Sequence, residues 1–439
     1  MNRNSESSLP QMTITPRRAL LDEPVQLTLS GFPAHSRVTI AASAQDDEGS
    51  LWTSQAVFTT DEDGFLDLST QRPLAGSYDD VDAMGLFWSM TTNSRKGKQE
   101  PSFTKTRLTV PTTITFRAQL NTTFFAEETA ERLHQADGVT DILVEEDGLK
   151  GKLFLPVGPG PHPGLLVLSG SDGTIRERAA ALLASHGYAA LALVYFGTEG
   201  LPKRLARVPL EYFEKAVHWL QNRSEVACDQ VGVIGASRGG ELALLLGATF
   251  PQIKAVVASA SSGLIHGGVG TVPSVPAWTY HGEPLPHMIY QPRLSELASL
   301  LSAMIRRTPF IGLPLYLKEF SDKHAVERAT IPVERTQGSL LLISGEEDEL
   351  WPSTLYAEMV MEHLSRHRYP YVYKHLRYKG AGHIIGLPYS FPYLPPTTPP
   401  SGGPVRLAYG GQPRERAQAD CDSWTQTLTF LKDSLHLVP

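Results

Sequence analysis

The chain has 439 residues, more than one ordinary hydrophobic core accommodates, so two domains are expected. Its composition, 41% hydrophobic and 19% charged, is typical of a globular protein and excludes a disordered or fibrous chain. The formal charge is −7 and no basic stripe occurs, which argues against a nucleic acid as partner.

Up to about residue 135 the chain alternates apolar and polar residues, as β-strands do. Val25, Leu27 and Leu29 follow this period of two, and residues 52–59 and 113–120 are rich in aromatic, β-branched and threonine residues. Turn residues separate these stretches at intervals of about 8–12 residues, which is typical of a sandwich. We therefore predict a β-sandwich domain at residues 1–138.

From about residue 141 short apolar strands alternate with amphipathic helices. This order predicts a mostly parallel sheet covered on both faces, and hence an α/β domain at residues 139–439. The predicted strands are 153–156, 164–168, 188–195, 230–234, 255–258 and 339–344, and the predicted helices are 176–186, 210–221 and 238–248.

Two stretches interrupt the alternation. Residues 264–331 contain glycine- and proline-rich loops around a helical pattern at 294–306, and an insertion at this point of such a sheet is a candidate cap over an active site. Residues 387–404 are dense in proline and glycine and should be irregular.

The pentapeptide GASRG, at residues 235–239, fits the pattern G-x-S-x-G between an apolar strand and a helical pattern. This turn is sharp, so small residues are needed two positions before and two after the serine. Ser237 is therefore the predicted nucleophile. The amide of Arg238, at the start of the helix, is a predicted oxyanion donor.

In α/β-hydrolases an acid and then a histidine follow the nucleophilic serine along the chain. The strand at 339–344 runs into GEEDELWP, where Asp348 is the preferred acid and Glu346 and Glu347 remain alternatives. His383, in the glycine-rich GAGH after a strand-like stretch, is the predicted base. His375 lies within the strand pattern itself and is the weaker alternative.

A second oxyanion donor should come from the loop after an early strand. The strand at 164–168 leads into SGSDG, and the amide of Ser171 is the predicted donor. The alternative is a glycine-rich turn that only enters the next helix.

Several blocks, in this order, resemble the acyl-CoA thioesterase / bile acid-CoA:amino acid N-acyltransferase family: LDEPVQLTLSGFPAHSRVTIAAS, GSYDDVDAMGLFWSM, GLKGKLFLPVGPGPHPG, VGVIGASRGGELALLLGA, IPVERTQGSLLLISGEEDELW and GAGHIIGLPY. The resemblance implies an N-terminal immunoglobulin-like sandwich and a C-terminal α/β-hydrolase domain acting on acyl thioesters. It places the family's nucleophile, acid and base on Ser237, Asp348 and His383. Family members that transfer the acyl group to glycine or taurine carry cysteine at the nucleophile position, so the serine favours hydrolysis.

The predicted function is hydrolysis of an acyl thioester, such as an acyl-CoA, through an acyl-serine intermediate. Alternatives are an acyltransferase, esterase or peptidase-like hydrolase with the same triad, or a hydrolase fold kept as a binding module. No metal or organic cofactor is expected, and the expected partner is a small-molecule thioester or ester.

The expected location is the cytoplasm. The first ten residues, MNRNSESSLP, lack the apolar core of a secretory signal, and no apolar run is long enough to span a bilayer. The two cysteines, Cys228 and Cys421, lie far apart without metal-site spacing, which disfavours a disulfide framework.

Overall fold

The computed structural model describes residues 9–93, 102–121, 123–289, 294–306, 308–389, 397–398 and 405–435. The chain divides into two compact units. The first contains Met1–Ala136 and Gly386–Pro395, and the second contains Asp137–Ile385 and Pro396–Pro439. The units divide between Ala136 and Asp137, two residues before the predicted boundary, whereas Gly386–Pro395 groups with the first unit although it lies in the predicted second domain. The two predicted domains stay a prediction.

The first unit consists mainly of β-strands. Its described elements are β1 (Gln11–Thr15), β2 (Arg18–Leu20), β3 (Gln26–Ser30), β4 (Arg37–Gln45), β5 (Leu51–Thr59), β6 (Leu66–Asp67), β7 (Ala75–Gly76), α1 (Gly85–Trp88), β8 (Thr112–Leu120) and β9 (Thr123–Leu133). They form one sheet in the order β1-β3-β6 and another in the order β2-β9-β8-β4-β5-β7.

Every second side chain of β4 and β5 is buried, which is the pattern that the alternation predicts. Both sheets therefore have one apolar face to cover, and stacking those faces is the standard solution. At the turn before β6 only glycine fits. Gly64 has φ +72°, and a Cβ there would lie 1.8 Å from the carbonyl oxygen of Phe32. The predicted β-rich N-terminal fold is confirmed.

The second unit alternates strands and helices. Its elements before residue 260 are β10 (Thr140–Val144), β11 (Lys150–Leu155), β12 (His162–Leu168), α2 (Glu177–Ser185), β13 (Ala189–Val194), β14 (Val208–Pro209), α3 (Leu210–Gln221), β15 (Val226–Ala236), α4 (Arg238–Thr249) and β16 (Ile253–Ser259). Later elements are β17 (Trp278–Tyr280), β18 (Glu283–Pro284), α5 (Leu294–Arg306), α6 (Leu313–Leu317), α7 (Lys323–Ala329), β19 (Ser339–Gly345), α8 (Ser353–Arg366), β20 (Tyr373–Tyr378), β21 (Thr397–Thr398), β22 (Leu407–Ala408) and α9 (Pro413–Ser434). Single 3-10 turns lie at Lys318–Ser321 and Val333–Arg335.

An eight-stranded sheet in the order β10-β11-β13-β12-β15-β16-β19-β20 forms the centre of this unit. The strands from β13 to β20 are parallel, whereas β10 and β11 pair antiparallel at one edge. Strands β12, β13 and β16 are buried along nearly their whole length, as expected for parallel strands with helices on both faces. The predicted α/β class is confirmed.

The helices follow from the spacing of their apolar residues. In α3 the buried residues Leu210, Phe213, Val217 and Leu220 recur at helical intervals and form one face against the sheet. Helix α2 ends because Gly187, with φ 95°, adopts the left-handed conformation that closes a helix.

The carboxyl ends of β15 and β19 lie at the same edge of the sheet because the strands run parallel. Functional loops of open α/β sheets gather at this edge. The turn after β15 and the loop after β19 contain the predicted nucleophile and acid.

The 264–331 segment leaves the sheet after β16 and returns before β19. Its predicted helix is α5, with the predicted bounds. The two ends of the segment are joined, because the amide of Ile265 donates to the oxygen of Ala329 over 2.8 Å and the amide of Ile331 donates to that of Gly263 over 2.9 Å. A role as a cap stays a prediction.

No helix within the described ranges is long and apolar enough to cross a membrane. Most of the proline-rich stretch 387–404 lies outside the described residues.

Candidate active site

Ser237 occupies the turn between β15 and α4, with φ 56° and ψ −124°. A non-glycine residue in such a conformation costs about 1–3 kcal/mol and persists only where its surroundings enforce it. Here the Ser237 amide donates to the carbonyl oxygen of Ser259 over 2.8 Å, and the Ser237 carbonyl accepts the amides of Gly240 and Glu241. Backbone bonds on both sides therefore hold the strained residue in place.

The two glycines of the motif are required by close backbone approaches. A Cβ on Gly235 would lie 2.2 Å from the carbonyl oxygen of Gly239, and a Cβ on Gly239 would lie 2.2 Å from that of Ser169. Both distances are far shorter than any tolerated contact. These two close approaches are the steric reason why both positions of the G-x-S-x-G pattern require glycine in this chain.

We expect Gly239→Ala to lower the melting temperature by about 2–8 °C, because overpacking against a backbone carbonyl costs about 1–3 kcal/mol. The matched control is Gly170→Ala, whose added Cβ would meet its neighbours at ordinary distances of 3.4 Å and more. Thermal unfolding of both variants by circular dichroism checks this. Equal losses of stability in the two variants would contradict it.

His383 is buried, and its Nε2 lies 3.0 Å from Ser237 Oγ. Its amide donates to the carbonyl oxygen of Tyr409 over 2.7 Å, and the two rings stack with centroids 5.6 Å apart. A Cβ on Gly382 would lie 2.2 Å from the carbonyl oxygen of Gly410. The glycine before His383 therefore allows close backbone packing.

Asp348 holds the other side of the His383 ring. Its Oδ2 lies 2.8 Å from His383 Nδ1, while Oδ1 accepts the amides of Leu350 at 2.9 Å and Trp351 at 3.1 Å. A carboxylate at Nδ1 requires that nitrogen to carry the proton, which leaves Nε2 to accept one from the serine. The three side chains thus have the geometry of a nucleophile, base and acid.

The residues named as alternatives for the acid and the base have different surroundings. Glu346 and Glu347 are exposed, and Glu346 forms an ion pair with Arg377. His375 Nε2 contacts Ser344 Oγ at 2.8 Å, and burial, together with the charge of Arg377, lowers the pKa of His375 to about 4. Asp348 and His383 are the candidates that the structure brings to Ser237.

The predicted oxyanion donors belong to two backbone segments, the start of α4 and the loop after β12. Arg238 is the first residue of α4, where amides have no acceptor within the helix. In the loop after β12, a Cβ on Gly170 would lie 3.6 Å from Ser237 Cβ, so this backbone lies against Ser237. Ser171 follows Gly170 with its side chain exposed. The amide roles of Ser171 and Arg238 stay predictions.

Three aromatic residues outside the predicted catalytic and oxyanion residues contact this site. The Tyr195 hydroxyl donates to the carbonyl oxygen of Ser169 over 2.6 Å and anchors the loop after β12. Trp351 donates its indole N–H to Ala260, and its ring meets that of His383 edge to face at 5.7 Å. Tyr409 gave no sequence signal because it contacts His383 through its backbone and one ring face. In the described part of the chain, no group of three or more acidic, histidine or cysteine residues could hold a metal ion.

The chain matches two family descriptions: "BAAT / Acyl-CoA thioester hydrolase C terminal" at residues 208–437 and "Acyl-CoA thioester hydrolase/BAAT N-terminal region" at residues 22–146. It is 33% identical to the bile acid-CoA:amino acid N-acyltransferase of Homo sapiens over 98% of each chain. It is 30% identical to acyl-coenzyme A thioesterase 1 of Rattus norvegicus over 95% of each chain.

Among solved structures, a puromycin-hydrolysing peptidase of Mycobacterium tuberculosis aligns with 96% of this chain and 67% of its own, at 14% identity and a TM-score of 0.44. The sequence matches extend over both units. The chain therefore belongs to the BAAT / acyl-CoA thioester hydrolase family.

Proposed function

We propose that this protein is a serine-dependent acyl-CoA thioesterase, with Ser237 as nucleophile, His383 as base and Asp348 as acid. The observation that carries the proposal is the 3.0 Å contact of His383 Nε2 with Ser237 Oγ on a strained strand-to-helix turn. Membership of a family that includes acyl-coenzyme A thioesterases supports the substrate class.

In the first step His383 takes the proton of Ser237 as its oxygen attacks the thioester carbonyl carbon. The negative charge that develops on the carbonyl oxygen faces the amides proposed as donors, those of Arg238 and Ser171. The carbon–sulfur bond then breaks, the thiol leaves with the proton from His383, and the acyl group stays on Ser237.

In the second step His383 takes a proton from water as the water attacks the acyl-serine. The serine oxygen leaves, recovers a proton from His383, and the free acid is released. Asp348 stabilises the imidazolium in both steps and orients the ring without taking the proton itself. Its two amide contacts keep the carboxylate in one orientation.

Acyl transfer to an amino acid is the second candidate function, because a relative that aligns over 98% of each chain is named an N-acyltransferase. In that reaction an amine would take the place of water in the second step. The serine at position 237 favours hydrolysis, since an oxygen ester is less readily attacked by amines than a thioester.

The test is thiol release from short-chain, long-chain and aryl acyl-CoAs, with and without glycine or taurine, and with product identification by mass spectrometry. We expect thiol release to give free acid at a rate that the amino acids do not change. N-acyl amino acid as the main product would make the protein a transferase. Cleavage of simple esters or peptides without any thioester would establish the esterase or peptidase alternative. Absence of any reaction, with no covalent labelling of Ser237, would favour a binding module.

A further inference from the structure

A cluster of ionisable side chains lies buried beside the nucleophile turn, and the proposed reaction does not use it. Glu241 has no exposed surface, and Arg238, His266 and Glu319 are each less than a tenth exposed. Burying charges is costly unless each has partners of opposite sign and hydrogen bonds. Each of these buried charges therefore needs such partners, and the contacts of the four residues supply them.

Glu241, in the first turn of α4, uses both carboxylate oxygens. Oε2 lies 2.9 Å from a guanidinium nitrogen of Arg238 and 3.0 Å from His266 Nδ1. Oε1 accepts the indole N–H of Trp278 over 3.0 Å and the amide of His266 over 3.3 Å. The α4 helix is thus bonded directly to the beginning of the 264–331 segment.

His266 extends the cluster to a later part of the same segment. Its Nε2 lies 3.1 Å from Glu319 Oε2, which also accepts the hydroxyl of Tyr356 over 3.0 Å. An imidazole between two carboxylates donates to both only when both ring nitrogens are protonated. The geometry therefore fits a charged His266.

The electrostatics agree with this geometry. Burial by itself would lower the pKa of His266, but the hydrogen bonds and charges of Glu241 and Glu319 raise it to about 8. The positive charge of Arg238 compensates the negative charge of one of the two carboxylates. Burial raises the pKa of Tyr316 to about 12 and that of Tyr356 well above its ordinary value, so both hydroxyls stay neutral. The indole of Trp351, which packs on His266, carries no charge.

The cluster contacts both ends of the triad. The Arg238 guanidinium donates to the carbonyl oxygens of His266 and Gly267, each over 3.1 Å, and Arg238 directly follows the nucleophile. The Trp351 ring lies 5.4 Å from that of His266 and 5.7 Å from that of His383, and its amide donates to Asp348. A displaced cluster would therefore move residues that orient the nucleophile and the acid.

We propose that Glu241, His266 and Glu319 are positioning residues that hold the 264–331 segment against α4 and fix Arg238 beside the nucleophile, so that full reactivity of Ser237 requires the intact cluster. The inference rests on the proposed function in one respect, the assignment of Ser237 as the nucleophile. It does not depend on which acyl group or leaving group the protein uses.

A pH dependence follows from the cluster. The pKa of His266 is raised in the folded protein, so its ion pairs contribute stability that is fully present below about pH 6.5 and lost as the pH rises through about 8. Above that pH the two carboxylates share the single positive charge of Arg238. We expect the reactivity of Ser237 to fall over the same interval.

The experiment compares Glu319→Gln with wild type by melting temperature, by kcat and KM for thiol release, and by the rate at which a fluorophosphonate labels Ser237, each measured across pH. Glutamine keeps the shape of Glu319 and removes its charge. We expect kcat and the labelling rate to fall about 10-fold with KM within about twofold, and the alkaline decline to shift down by about one pH unit.

Glu334→Gln is the matched control. It alters a second histidine–carboxylate pair, His363 with Glu334 at 2.7 Å, which is partly exposed. We expect this variant to keep kcat, the labelling rate and the pH profile of the wild type. An equal loss in both variants would show a general effect of charge and overturn the proposal.

Tyr356→Phe is the second variant, used if Glu319→Gln does not fold. It removes only the hydroxyl that donates to Glu319, and we expect a decrease of about threefold in labelling rate at unchanged KM.

Variants that have a lower melting temperature but keep the wild-type labelling rate and pH profile would show a purely structural role, which overturns the proposal. Labelling without thioester cleavage in the wild type would refute the proposed substrate class and leave this test intact. A wild type that is not labelled at Ser237 would overturn both proposals.

Discussion

Replacement of Ser237 by alanine is expected to lower kcat for acyl-CoA hydrolysis by about 10,000- to 1,000,000-fold. The variant lacks the Oγ atom that lies 3.0 Å from His383 Nε2, so under the proposed mechanism no acyl-enzyme forms. Amide donors and substrate binding remain, so KM should stay within about threefold and a small residual rate should persist. Initial rates of thiol release over a range of substrate concentrations measure both quantities.

The control for this variant is Ser365→Ala, an exposed serine on α8 in the same unit. It should keep the wild-type rate and the wild-type fluorophosphonate labelling, whereas Ser237→Ala should lose the labelling. The change removes a single oxygen atom and keeps Cβ, so the melting temperature should be close to that of the wild type. Retention of more than about one tenth of the activity by Ser237→Ala would place the nucleophile elsewhere.

Asp348→Asn is expected to lower kcat by about 1,000- to 10,000-fold, the second largest effect. The asparagine oxygen can still accept the amides of Leu350 and Trp351, so the loop should keep its shape. Its amide NH₂ then faces His383 Nδ1, which must become an acceptor. The proton moves to Nε2, and the base can no longer accept the serine proton.

Glu347→Gln is the control for the acid, because Glu347 is an exposed neighbour in the same loop and was an alternative on sequence grounds. It should keep kcat within about twofold, since an exposed carboxylate interacts weakly through water. Steady-state thiol release, together with melting temperatures, separates the two variants. Equal losses in both would mean that the loop, and not the Asp348 carboxylate, determines the rate.

The order of elements could be predicted largely from the sequence. The central strands are apolar along their length because they are covered on both faces, and α5 has the periodicity of one apolar side. Helix α9 was not predicted, and its buried residues explain why. Arg416, Asp420 and Thr427 lie on its covered side among apolar residues, so polar residues interrupt the apolar stripe. Helix α8 was also not predicted, although Tyr356, Val360 and Leu364 have helical spacing.

The nucleophile turn is the part of the site that local sequence determines. Gly235 and Gly239 lie within two residues of Ser237, and the clashes that they avoid depend on backbone only a few residues away or on one neighbouring loop. Such a pattern is readable without knowledge of the rest of the fold. The strand before it and the helix after it add context of the same local kind.

By itself, the sequence determined the two-part architecture, the class of fold and the position of Ser237, because periodicity acts between near neighbours and both glycines of G-x-S-x-G lie within two residues of the serine. Only the tertiary structure decided which carboxylate reaches His383. Glu346, Glu347 and Asp348 are consecutive residues of one loop, and its conformation exposes the first two and directs Asp348 to the histidine. It also brought Glu241 of α4 together with His266 and Glu319 of the 264–331 segment. Such contacts depend on how the ends of the parallel strands and the 264–331 segment come together in space. A pattern of neighbouring residues in the sequence contains no information on this.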